Sequence, residues 1–322
     1  MKRGLIAILV LLFIIPIAFA QDFSASFNTD KSEIQLGDKF TVSGLVNYNG
    51  LPLSEGYALI EFKKDNKIYS TTSQVSNGVF STTTSIGKTP TNEYMPAGSY
   101  NVVITLNDGY GNSKVYENSV NLVVNNKLAL TLNLNKLEFL PGEKLTLTGI
   151  VKRSLDNIEI NGKATITFED KTYDVDVVKG KFSYEFDLAN NIKSNLHNID
   201  IFVIDNNGNS LKQQLEYSIT PVQTRLENNF NTKSFLPDET LKITSKVYDQ
   251  AEDLINDIIL IKIFDPKNNL VLEKEIETEK EASFKITMGT IPGEYKVIIE
   301  STDLSTEDKF TVQEVKALSI GL

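Results

Sequence analysis

Residues 140–151 read LPGEKLTLTGIV. Pro141 presets one backbone angle and Gly142 permits a tight turn, after which Leu145, Leu147 and Gly149 alternate with polar residues as a strand does. The same phrase returns upstream as LGDKFTVSGLV (36–46) and downstream as LPDETLKITSKV (236–247). Phe40, Val42 and Gly44 repeat the frame in the first copy. Leu241 and Ile243 keep it in the third, with Ser245 in the glycine position. Polar side chains differ between copies while the apolar frame persists, so the phrase reads as architecture and not as a ligand site.

Other positions fall into register with it. Phe62 in YALIEF, Phe168 in KATITF and Phe264 in ILIKIF each close a strand of the same type, at nearly the spacing of the phrase. A shared offset at independent places marks an internal repeat. DGYGNS (108–113) and DNNGNS (205–210) suit turns with positive φ between strands, and DLSTED (303–308) is a polar turn at the matching place. Short alternating runs bounded by Gly, Asn, Asp and Pro give about seven strands per repeat, the pattern of two packed antiparallel sheets. The expectation is an all-β chain of three tandem Greek-key immunoglobulin-like β-sandwiches after a signal peptide. Residues 1–20 would be the signal, with domains at 21–126, 127–221 and 222–322.

The turn Leu140-Pro141-Gly142-Glu143 and the element Pro292-Gly293-Glu294-Tyr295 resemble those of immunoglobulin-like domains in prokaryotic surface and secreted proteins, including the macroglobulin-like variety. The resemblance runs over nearly all of residues 22–314 and implies a fold more than an activity. It departs from antibody domains in having no Cys and no Trp. The thioester segment of protease-trapping macroglobulins is likewise missing, so that activity is not implied.

The N-terminus reads MKRGLIAILVLLFIIPIAFA: a basic head, an apolar run and small residues at Ala18 and Ala20. This is a secretory signal with cleavage expected after Ala20, and no second apolar run of similar length follows. Zero cysteines exclude thiol catalysis, thiolate metal sites and disulfides, so apolar burial holds the domains together. Loss of Lys2 and Arg3 takes the net charge from −10 to −12. That balance argues against nucleic acid or an anionic membrane surface as partner, because both require basic patches. No Asn-x-Ser/Thr acceptor occurs, and LPDET (236–240) lacks the spacing of a sorting signal.

Five groups of residues are candidates for chemistry or binding. DQAEDLIND places Asp249, Glu252, Asp253 and Asp257 in one loop, oxygen ligands of the kind calcium takes. Tyr48, Tyr94 and Tyr110 lie in loops or beside turns of the first repeat, where aromatics stack on sugars or anchor a protein. His197, the single histidine, aligns with Tyr100 and Tyr295, the place of a tyrosine corner. Asp174 and Asp176 share a strand face read as solvent. The acidic run LEKEIETEKEASFK, with Glu273, Glu275, Glu277, Glu279 and Glu281, reads as a charged hairpin on an exposed edge.

The functional expectation is an exported, non-enzymatic cell-surface or envelope protein that engages an envelope protein or glycan. A structural stalk, or the accessory part of a larger adhesin or enzyme, stands beside it. The chain stops at KALSIGL (316–322), shortly after the last strand. No cofactor is expected apart from calcium.

Overall fold

The computed structural model describes residues 22–89 and 91–314; the expected signal peptide lies outside them. Among the described residues there are 27 strands and no helix, so the all-β expectation holds.

Alternation builds the strands. In Lys144–Arg153, Leu145, Leu147 and Val151 are buried while Thr148 and Ile150 face outward. Each such buried leucine contributes roughly 1.5–3 kcal/mol. Gly149 is paired with Phe182 on the neighbouring strand, and a Cβ on it would lie 2.1 Å from the Phe182 ring. Gly44 meets Phe80 in the same way, at 2.4 Å. In the third repeat no aromatic ring crosses at that point, and Ser245 fits, fully buried but with its hydroxyl unbonded.

The first repeat forms one hydrogen-bonded network of ten strands. Phe23–Thr29, Lys39–Tyr48 and Val79–Ser85 make one layer. Lys67–Ser76, Glu55–Lys64, Gly98–Asn107, Asn121–Asn125 and Glu33–Gln35 make the other. Among the described strands, the ladder pair between the two is Ser76↔Val79, beside the Asn77-Gly78 turn. Phe40, Val42, Ile60, Phe62, Val102 and Ile104 fill the space between the layers.

The middle repeat has a three-stranded sheet (Leu128–Leu134, Lys144–Arg153, Lys181–Asp187) and a five-stranded one. The third has four- and five-stranded sheets around Ile243, Ile261, Tyr295 and Phe310. These are the paired layers of β-sandwiches.

The opening phrase is a type II-like turn in all three copies. The residue at its third position has positive φ: Gly37 (90°), Gly142 (79°) and Asp238 (72°). The fourth residue is always acidic, and its carboxylate accepts the N–H of the first. Asp38 Oδ2 takes Gln35 N at 3.0 Å, while Glu143 Oε2 and Glu239 Oε2 take Leu140 N and Leu236 N at 2.7 Å. The polar side chains of the phrase therefore do not all drift. One is kept because it closes the turn.

The tyrosine corner is present three times. Tyr100 OH donates to Pro96 O (2.6 Å) and Tyr295 OH to Ile291 O (2.9 Å). His197 Nε2 faces Lys193 O at 2.8 Å, the same four residues back. Its Nδ1 meets Glu169 Oε1, also at 2.8 Å, and that oxygen accepts Tyr217 OH as well. The imidazole thus replaces a phenol in a packing role.

The chain divides into two compact units. The first runs to Ala129 and adds Lys152–Gly162 and Ile204–Leu211, two loop regions of the middle repeat. The second holds Leu130–Val151, Lys163–Val203 and the chain from Lys212 onward.

Polar contacts explain why the two loops join the first unit. Arg153 bridges Asp38 and Asp156, 2.6 Å from each. The fully buried Gln35 donates to Lys127 O (2.6 Å) and accepts from Leu155 N (3.3 Å). Asn209, also fully buried, donates to Leu36 O at 3.1 Å.

Candidate functional site

The acidic loop of the third repeat is an aspartate-capped turn. Asp249 is fully buried, and its Oδ1 accepts Ala251 N (2.9 Å) and Asp253 N (3.0 Å). Its Oδ2 takes Ser194 Oγ at 2.5 Å. Glu252 pairs with Arg225, and Asp253 lies 3.8 Å from Lys193 Nζ. Asp257 accepts from Gln223 Nε2 (2.6 Å) and from Thr302 N and Oγ1 (3.1 and 3.0 Å). Burial pushes its carboxyl up, but those donors outweigh it and hold the group below its ordinary value. The four acids thus point to different partners. Among the described residues no three His, Cys, Asp or Glu side chains gather as a metal would require.

The same capped loop occurs elsewhere with Asn at its fifth position. Asp108 Oδ1 accepts Tyr110 N (2.8 Å) and Asn112 N (3.0 Å), and its Oδ2 accepts Asn112 Nδ2 (2.5 Å). Asp205 holds Asn207 N, Asn209 N and Asn209 Nδ2 likewise, and Asp265 holds Lys267 N and Asn269. The signal D-x-x-x-N is legible in DGYGN, DNNGN and DPKNN.

The three tyrosines have different fates. Tyr48 packs on Phe23 with ring centroids 4.8 Å apart, and its hydroxyl is buried without a hydrogen-bond partner. Burial first, and then the charge of Asp108, push that hydroxyl up. Tyr94 is half-buried: Gly208 lies against its ring, and Lys88 Nζ sits 4.6 Å from the ring centroid. Tyr110 is 92% exposed at the tip of the capped Asp108 loop.

Tyr110 borders a cleft of about 280 Å³ with Tyr57, Glu55 and Gln74, lined also by Asp108 and the glycines at 56 and 109. Tyr57 is 59% exposed and stands opposite Gln74 in one strand pair and Asn107 in the other. The sequence reading missed it. Its signal was parity: in YALIEF, Ala58 and Ile60 point inward, so Tyr57 points out.

The remaining candidates are surface features. Asp174 and Asp176 are both exposed, and Thr165 and Lys163 hold the Asp174 carboxyl below its ordinary value. The acidic run is not a hairpin: Leu270–Glu277 is an edge strand of one sheet, and Glu281–Lys285 pairs with Thr240–Asp249 in another. Charge on that edge fits its expected protective role.

No curated protein matches the chain. Among solved structures, a tetra-tandem repeat in the extending region of a large adhesion protein aligns at 13% identity and a TM-score of 0.45. The alignment covers 91% of this chain and 75% of that one. The native conformation of E. coli alpha-2-macroglobulin aligns at 12% identity and a TM-score of 0.29, over 90% of this chain and 22% of that. A Salmonella alpha-2-macroglobulin reacted with methylamine gives 12% and 0.26, over 90% and 23%. The chain therefore spans less than a quarter of the length of these two macroglobulins. Residues 25–154 match the family described as the alpha-2-macroglobulin bait region domain. The first repeat and the opening strands of the second are thus macroglobulin-like in sequence.

Proposed function

We propose that the chain is an exported, non-enzymatic interaction module of the cell surface or envelope, built of three tandem repeats (21–126, 127–221 and 222–322), with the first repeat as its contact face. The observation that carries this reading is the contrast within one loop type. Most polar side chains that sequence alone would assign to chemistry are engaged in holding the frame, whereas Tyr110 is left almost fully exposed at the tip of a capped loop that borders a cleft. A rigid scaffold that presents loop aromatics is the usual physical basis of recognition. The macroglobulin-like match over 25–154 and the extracellular or envelope setting of such proteins support the location.

Retention of residues 21–322 on envelope extract tests the proposal. Saturable retention, competed by unlabelled chain and weakened by Tyr57→Ala and Tyr110→Ala together, is expected. Retention that never saturates would sink it.

A stalk is the second reading, favoured by the polar contacts that fasten the 35–38 turn to the 153–158 and 205–209 loops. A stalk would keep its role when both tyrosines are removed.

A further inference from the structure

We propose that the cleft between Tyr57 and Tyr110 binds a neutral saccharide, a step that rests on the reading of the first repeat as the contact face. Both residues line the cleft with their rings largely exposed, and neither ring packs on another aromatic ring. Their faces are therefore available to the C–H faces of sugar rings, which stack on aromatics much as apolar groups do. By contrast Tyr173, beside a larger cleft in the middle repeat, is already packed on Tyr184 and Phe186.

The polar groups of the cleft suit the same ligand. Glu55, Gln74 and the two tyrosines line it, and their carboxylate, amide and hydroxyl groups make no hydrogen bond to the rest of the described chain. Together they offer donors and acceptors side by side, the arrangement that vicinal hydroxyls satisfy. No Lys or Arg lines the cleft, and Glu55 makes it acidic, which disfavours phosphorylated, sulfated or sialylated ligands. The volume of about 280 Å³ lies near the lower bound of small-molecule sites, about 300 Å³, and suits a short oligosaccharide segment.

An extended peptide fits less well. Glu55–Lys64 is paired on both sides, with Lys67–Ser76 and with Gly98–Asn107, so the cleft exposes no free ladder for a peptide strand to extend. Recognition there depends on side chains. The loop that carries Tyr110 is also pre-ordered: Asp108 takes the Tyr110 and Asn112 amides, and Asn107 Oδ1 takes Gly109 N at 2.7 Å. Holding the loop backbone in place before binding lowers the entropy lost on binding.

The test titrates residues 21–322 with chitotriose, cellotetraose, mannotriose and lactose, followed by tyrosine fluorescence, since the chain has no Trp, and by calorimetry. Saturable binding to at least one is expected. Tyr57→Ala and Tyr110→Ala should each weaken it about tenfold or more, and Tyr110→Phe should retain most of it. Melting temperatures of the three variants should stay near that of the parent, because both rings are largely exposed. Binding that survives the double alanine variant overturns the site.

Envelope extract supplies the second arm, treated with periodate or with protease. Tyrosine-dependent retention abolished by periodate supports a glycan ligand even where the four sugars fail. Tyrosine-dependent retention that survives periodate and is lost to protease overturns the saccharide but leaves the interaction module standing. No saturable retention, with no binding to the four sugars, overturns both.

Discussion

The loops Asp108–Asn112 and Asp205–Asn209 share one skeleton and meet opposite surroundings. In both, an aspartate accepts two amides and the side chain of a closing asparagine. In the middle repeat Asn209 is fully buried, bonded to Leu36 O, and Asn207 lies against Gly37. In the first repeat the residue in the place of Asn207 is Tyr110, which is 92% exposed. The frame is therefore neutral as to use. The residue at its third position, and what lies opposite, decide whether the loop joins repeats or faces outward.

Removing the neighbouring ion pair should give the largest effect. The Arg153 side chain is only 12% exposed between Asp38 and Asp156. Arg153→Ala would leave the two carboxylates facing each other in a poorly solvated place, at a cost of about 2–4 kcal/mol to the first unit. Denaturant unfolding of residues 21–322 measures it, and a loss below about 1 kcal/mol would mean the contact is solvated and does little to bury the loop. Exchanging the third-position residues comes next. Asn207 is exposed but rests on Gly37, where a Cβ would lie 2.4 Å from its Cγ, so Asn207→Tyr should cost about 1 kcal/mol as the larger ring finds room there. The mirror change Tyr110→Asn should stay within about 0.5 kcal/mol. Equal effects would break the comparison.

Much of this architecture was readable in the residues. Period-two alternation located strands such as Lys144–Arg153, and alignment of His197 with Tyr100 and Tyr295 found the corner. What escaped were properties of partners rather than of patterns. Asp249 looked like an ion ligand because a sequence shows carboxylates and not the backbone amides they accept. The acid at the fourth position of the opening phrase was hidden because it alternates between Asp38, Glu143 and Glu239. Tyr94 was expected outward, and the ring lies against Gly208, a contact no local pattern encodes. Tyr57 was passed over because it sits in a strand and not a loop.

The smallest expected effect concerns acid. The Asn112 side-chain bond, more than any other cause, holds the Asp108 carboxyl below its ordinary value of 3.8, with the Tyr110 and Asn112 amides adding to it and burial opposing. Asn269 does the same for Asp265. A lowered folded value means the stabilisation is complete above the unfolded value and disappears as pH falls through the folded one. The Tyr110 and Asn112 amides should therefore keep their protection from exchange down to about pH 4 and lose it below. Asp108→Asn should remove the acid step at Tyr110 while leaving the step at the Asp265 loop. A step that persists in this variant would show that some group other than the capping aspartate orders the presented loop, and the shared frame would no longer explain how Tyr110 is held.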